Sequence, residues 1–269
     1  MKIELWPDSS DLPFSSADST FVPYMETFLL SGAAKPLGLV VVLPGGGYSH
    51  RAFHEGDPIA LRFNELGFHA VTVQYRVSPD RYPAALNDVA RAIRLIRQNA
   101  AAWKVDPDNI AVCGFSAGGH LAGSSGLLWP EATCTAGDEA DKQSARPDAM
   151  LLCYPVIAAT EDFAHKGSMQ NLLGPDAPES TVTRMGLQHL VDENTPPAFI
   201  WHTVTDQIVP VKNAVAMAEA MWQKNLRCEL HIFPEGPHGR GLGLGCHALS
   251  QWTALAANFL SVSLKFARG

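Results

Sequence analysis

Ile110-Ala111-Val112-Cys113-Gly114-Phe115-Ser116-Ala117-Gly118-Gly119-His120-Leu121-Ala122 runs from a short apolar, β-branched stretch into a series of small residues. The first half suits a buried strand and the second the start of a helix. Between them lies G-x-S-x-G, formed by Gly114, Ser116 and Gly118. A strand that turns sharply into a helix here forces Ser116 into a strained backbone conformation. The flanking glycines remove side chains that would collide as the chain doubles back. The hydroxyl then projects above the sheet. The helix directs its amino-terminal dipole at the point where negative charge develops when a carbonyl is attacked. The same letters occur in ordinary turns, so the weight rests on their place after a strand, before a helix and near mid-chain. His120 lies one helical turn beyond Ser116 and is expected to pack or hydrogen-bond rather than act as its base.

Outward from this point, short apolar runs alternate with longer helical patterns, as in a mostly parallel sheet with helices on both faces, an α/β fold. Strands are expected at 38–43, 69–75, 109–113, 149–154, 199–204 and 229–233, with edge strands within 20–30. Helices are expected at 83–103, 117–128, 211–223 and 247–264. In the first, Ala85, Val89, Ala92, Ile93 and Ile96 share one face. Residues 160–197 break the alternation with Gly, Pro and acidic residues. They read as an insertion within one domain spanning 1–269, either a lid over the site or a plain surface excursion.

A serine hydroxyl is a poor nucleophile near neutral pH and needs a histidine base whose tautomer a carboxylate fixes. Where the nucleophile sits on such a turn, the acid follows a late strand and the histidine a loop after the last one. His238 fills that place in Pro234-Glu235-Gly236-Pro237-His238-Gly239. Asp206 follows the 199–204 strand just before a helix, where an Asp also serves as a cap. Asp192 and Glu193 in the insertion are weaker rivals, and Glu235 is too near His238 along the chain.

The run Leu39-Val40-Val41-Val42-Leu43 leads into Pro44-Gly45-Gly46-Gly47-Tyr48. Glycines let backbone N–H groups turn toward a reacting oxygen, so Gly46 and Gly47, with Ala117 after the nucleophile, are the expected oxyanion donors. A glycine run after a strand can also cradle phosphate. Here no Lys-Ser/Thr follows and G-x-G-x-x-G is absent. His50 and His54 have helical spacing but lack the Glu that a metalloprotease places beside its first histidine.

The chain has 269 residues, 46% apolar and 17% charged, and a net charge of −7. That charge, with no basic run, argues against nucleic acid as a partner. No segment is long and apolar enough to span a bilayer, and no export signal is evident. Cys113, Cys134, Cys153, Cys228 and Cys246 are odd in number and lack a C-x-x-C pair. This suggests neither a disulfide framework nor a zinc site, and a cytoplasmic location is expected.

Together these motifs resemble the esterase and acetylxylan-esterase-like branch of the α/β-hydrolases, related to the hormone-sensitive-lipase group. The likeness is carried by Leu5-Trp6-Pro7, Pro44 to Tyr48, Tyr75-Arg76-Val77, Tyr82-Pro83 with Asp88, Gly114 to Ala122, Tyr154-Pro155-Val156, Asn171 to Gly174, Thr195-Pro196-Pro197 and Gly236-Pro237-His238-Gly239. The resemblance implies a Ser116/Asp206/His238 triad and no metal or organic cofactor. The implied substrate is a small short-chain ester, acetylated sugar above all. Amide hydrolysis and an inactive binding protein of the same fold remain the alternatives. Lipase-like relatives carry histidine where this chain has Pro44, so the hydrogen bond by which that histidine supports the glycine loop must be absent or replaced.

Overall fold

The computed structural model describes residues 1–6 and 21–269. Eight strands form one sheet in the order β1-β2-β4-β3-β5-β6-β7-β8. They are β1 (Lys2–Glu4), β2 (Tyr24–Phe28), β3 (Leu37–Leu43), β4 (His69–Gln74), β5 (Val105–Phe115), β6 (Ala149–Cys153), β7 (Ala198–Thr203) and β8 (Cys228–Phe233). β1 and β2 pair antiparallel, as do β2 and β4; every other neighbour is parallel. Both faces of β3 are buried, because its alternate side chains feed two separate cores. Leu39, Val41 and Leu43 join the core beneath α2 (Ala84–Gln98), α4 (Ala117–Leu127) and α7 (Lys212–Gln223). Val40 and Val42 join the core beneath α1 (Asp57–Glu65) and α9 (Trp252–Asn258).

The expected strands are present with ends moved by a residue or so, except that β5 begins four residues early. β2 falls within the expected edge segment, of which residue 20 lies outside the described residues, as does Pro7. Two expected helices are broken. The 83–103 helix ends at Gln98, where Asn99 turns its amide onto the Leu95 carbonyl at 2.8 Å, and resumes as the single turn α3 (Ala100–Trp103). The 247–264 pattern divides into α8 (His247–Ser250), α9 and a wide final turn. The insertion carries α5 (Lys166–Leu173) and α6 (Glu179–Arg184).

From β3 the chain crosses to β4 on one side and then to β5 on the other. The C-terminal ends of β3 and β5 therefore lie side by side, with Leu43 opposite Gly114. In open α/β sheets a crevice forms outside the strands at such a reversal. Here it brings the Pro44-to-Tyr48 loop next to Ser116.

Candidate active site

Ser116 stands between β5 and α4 at φ 54°, ψ −119°, a region that costs a non-glycine residue about 1–3 kcal/mol. Its neighbours hold it there. Its N–H donates to Cys153 O at 3.0 Å, and its carbonyl accepts from Val156 N–H at 3.0 Å and His120 N–H at 3.1 Å. A Cβ on Gly114 would lie 2.0 Å from Gly118 O, and one on Gly118 would lie 2.3 Å from Leu43 O, so the turn closes only with glycine at both.

His238 arrives from the loop after β8, and its Nε2 lies 2.8 Å from Ser116 Oγ. Its Nδ1 lies 2.6 Å from Asp206 Oδ2. A carboxylate only accepts, so Nδ1 carries the proton and Nε2 is left to accept from the serine hydroxyl. Asp206 uses its other oxygen as a cap, taking the N–H groups of Ile208 and Val209 at 2.9 and 3.0 Å. Asp206 thus caps the turn with one oxygen and meets His238 with the other. His202 Nε2 is 3.3 Å from Oδ2. Burial alone would raise the Asp206 pKa, but hydrogen bonds from His202, His238 and the Val209 amide hold the carboxyl well below the usual range. The histidine loop is pinned as well: Thr203 Oγ1 donates to Gly236 O at 2.7 Å and His54 Nε2 to Gly239 O at 2.9 Å.

The glycine loop lies across the same pocket, of about 370 Å³, which Gly46, Gly47, Ser116, His165, Asn171 and His238 all help to line. The N–H groups of Gly46 and Gly47 donate to no group among the described residues. Ala117 opens α4, where first-turn amides have no carbonyl within the helix to bond. The support missing at Pro44 is supplied by four side chains. Gly45 N–H donates to Glu55 Oε2 (2.8 Å), Tyr75 O–H to Pro44 O (2.5 Å), Tyr48 O–H to His120 Nδ1 (2.8 Å) and Asn171 Nδ2 to Gly47 O (2.8 Å). His120 is therefore a buried brace; its Nε2 donates to Met185 O at 2.9 Å.

Glu55 does not stand out in the sequence, and Tyr154 does so only within Tyr154-Pro155-Val156, with no role attached. Glu55 is 2% exposed. While Oε2 holds Gly45, its Oε1 accepts from Tyr154 O–H at 2.5 Å, and that hydroxyl accepts from Gly241 N–H at 2.9 Å. The Tyr154 ring meets the His238 ring edge-on at 5.1 Å. An acidic residue in a stretch with no clear helical or strand pattern gives little warning of such a role, although a Glu ten residues beyond a glycine loop is within reach of it. The rival acids Asp192, Glu193 and Glu235 are all exposed, and Asp192 caps its own turn through Asn194 N–H at 2.9 Å.

A mostly parallel sheet flanked by helices, with a serine on the strand-to-helix turn at its centre, defines an α/β-hydrolase. Residues 25–221 match the BD-FAE family model, and the chain belongs to that family. It is 35% identical over 223 residues to endo-1,4-beta-xylanase B of Butyrivibrio fibrisolvens, a match covering 81% of this chain and 35% of that protein. It is 33% identical over 214 residues to an acetylxylan esterase of Xylanibacter ruminicola, covering 77% of this chain and 42% of that protein. The chain thus spans less than half the length of these two curated relatives. Among solved structures, the acetyl ester-xyloside bifunctional hydrolase of Caldicellulosiruptor lactoaceticus is similar with a TM-score of 0.93 at 39% identity, over 99% of this chain and 97% of that one. No helix among the described residues is long and apolar enough to cross a membrane.

Proposed function

We propose that this protein is a serine esterase that removes short acyl groups, acetyl foremost, from carbohydrate esters by way of an acyl-enzyme on Ser116. The observation that carries this reading is the unbroken chain of contacts from Asp206 through His238 to Ser116, beside Gly46 and Gly47 amides that donate to no group among the described residues. Ser116 Oγ attacks the ester carbonyl while His238 Nε2 takes its proton. The carbonyl oxygen becomes an oxyanion held by the N–H groups of Gly46, Gly47 and Ala117. Collapse expels the alcohol, which receives the proton from His238. A water, deprotonated by the same nitrogen, then releases the carboxylic acid and restores Ser116. Asp206, ionised throughout, holds the imidazole in the tautomer that can accept.

The acetyl and carbohydrate parts of the reading are supported by likeness to an acetylxylan esterase and to an acetyl ester-xyloside hydrolase. The 160–197 insertion is read as a cover over the site, since His165, Gly167 and Asn171 wall the pocket. Five cysteines free of disulfides suit a reducing, cytoplasmic setting.

Ser116→Ala is expected to lower turnover of p-nitrophenyl acetate by more than about a thousandfold with an unchanged circular dichroism spectrum. A fluorophosphonate should label Ser116 in the parent protein. Wild-type turnover by the alanine variant, or no labelling, would defeat the proposal. Rates on acetyl, butyryl, feruloyl and acetyl-sugar esters then rank the acyl and alcohol groups.

A further inference from the structure

His165 precedes α5 in the insertion and shares the pocket wall with Ser116, His238, Gly46 and Gly47. Its Nδ1 accepts from Ser168 N–H at 3.3 Å, with Ser168 Oγ 2.8 Å from the same nitrogen. A ring nitrogen that accepts from an amide carries no hydrogen, so the neutral imidazole bears its proton on Nε2. That Nε2–H has no hydrogen-bond partner among the described residues. Burial, and then the neighbouring His238, hold the His165 pKa below the ordinary histidine value, with Asp206 acting weakly the other way. The ring is therefore a neutral donor at neutral pH. It is also well fixed, because α5 is tied to the glycine loop by Asn171 Nδ2 on Gly47 O and Ser168 is fully buried.

A donor left unpaired when an ester fills this pocket weakens binding. The acyl half of the ester offers one acceptor, the carbonyl oxygen, and the amides of Gly46, Gly47 and Ala117 take it. A short acyl chain offers nothing more. The partner for Nε2–H must then come from the alcohol half.

We infer that His165 is a specificity-determining residue whose Nε2–H hydrogen-bonds an oxygen of the alcohol, a hydroxyl or ring oxygen next to the acylated carbon of a sugar. The inference rests on the esterase reading above and names the side chain by which that site recognises carbohydrate. An ester of a plain hydrocarbon alcohol leaves the donor unpaired and is discriminated against.

The test compares kcat/KM for a monoacetylated methyl xyloside with that for cyclohexyl acetate, a ring of similar size with no oxygen beyond the ester. Their ratio does not depend on the fraction of enzyme folded, so unfolding caused by loss of the His165 cap on α5 does not affect the readout. The parent enzyme should prefer the xyloside ester. His165→Phe should lower the ratio about tenfold, mainly through KM, and His165→Gln, which retains an N–H donor, should restore most of it. A parent ratio near one would defeat the carbohydrate reading, and this inference with it. A parent preference that survives in His165→Phe would overturn the His165 assignment alone. Equal loss in the Phe and Gln variants would also overturn it, because ring shape rather than the donor would then be responsible.

Discussion

Glu55 joins parts of the site that are distant in sequence. Its two carboxylate oxygens accept from Gly45 in the glycine loop and from Tyr154 at the end of β6, and Tyr154 in turn holds Gly241 in the histidine loop. Glu55 hydrogen-bonds neither Ser116 nor His238 among the described residues, so in the proposed mechanism it is a positioning residue that holds the loops on either side of them. A Gln at this position offers one acceptor where two donors wait, and its NH₂ would face one of them. Glu55→Gln is therefore expected to lower kcat on p-nitrophenyl acetate by about ten- to a hundredfold, with a much smaller change in KM. Tyr154→Phe should act in the same direction. A loss confined to thermal stability, with kcat intact, would show that the contact is structural only.

At the scale of single elements, α4 does more than present Ser116. His120, the fourth residue of α4, links Tyr48 of the glycine loop to Met185 of the insertion and is fully buried. Burial lowers its pKa to about 4, the Met185 carbonyl only partly opposing the shift. The folded protein thus holds this ring neutral, while the unfolded chain binds a proton below about pH 6.5. Stability from this group is complete above about pH 6.5 and is lost as pH falls toward 4, by about 3 kcal/mol in all. Urea midpoints measured from pH 7 to pH 4 should fall accordingly, and His120→Gln should flatten the decline; an identical slope in the variant would remove His120 as its source. The same element illustrates what the sequence discloses. Ser116, the glycine loop and β3 to β8 were legible because buried strands and glycine turns leave local patterns. The α1 helix was missed, although Asp57-Pro58 is a first-turn signal. The break at Asn99 and the divided C-terminal helix were missed because each follows from packing and side-chain bonds that the apolar period does not encode.

Across the whole molecule, the N-terminal segment, the sheet and α2 are fastened around one buried ion pair. Arg76, two residues beyond β4, and Asp88, on α2, are both fully buried, with Nη2 to Oδ1 at 2.7 Å and Nε to Oδ2 at 3.0 Å. Asp88 also accepts from the Arg76 N–H at 2.8 Å and from the Trp6 indole at 2.9 Å. One turn further along α2, Arg91 reaches Leu5 O at 2.8 Å and pairs with Asp138. The resemblance drawn from Leu5-Trp6, Tyr75-Arg76 and Asp88 thus has a physical basis, because these separated residues meet at one place. Removing one member of a buried pair strands the other without a partner, at a cost of about 3–5 kcal/mol, whereas replacing both with apolar groups avoids the stranded charge. Asp88→Leu alone should therefore lower stability by about that amount, and adding Arg76→Met should recover part of the loss rather than double it. Urea melts of the two single variants and the double variant read this directly. Strictly additive losses would mean that the two charges stabilise the fold independently, through neighbours other than each other.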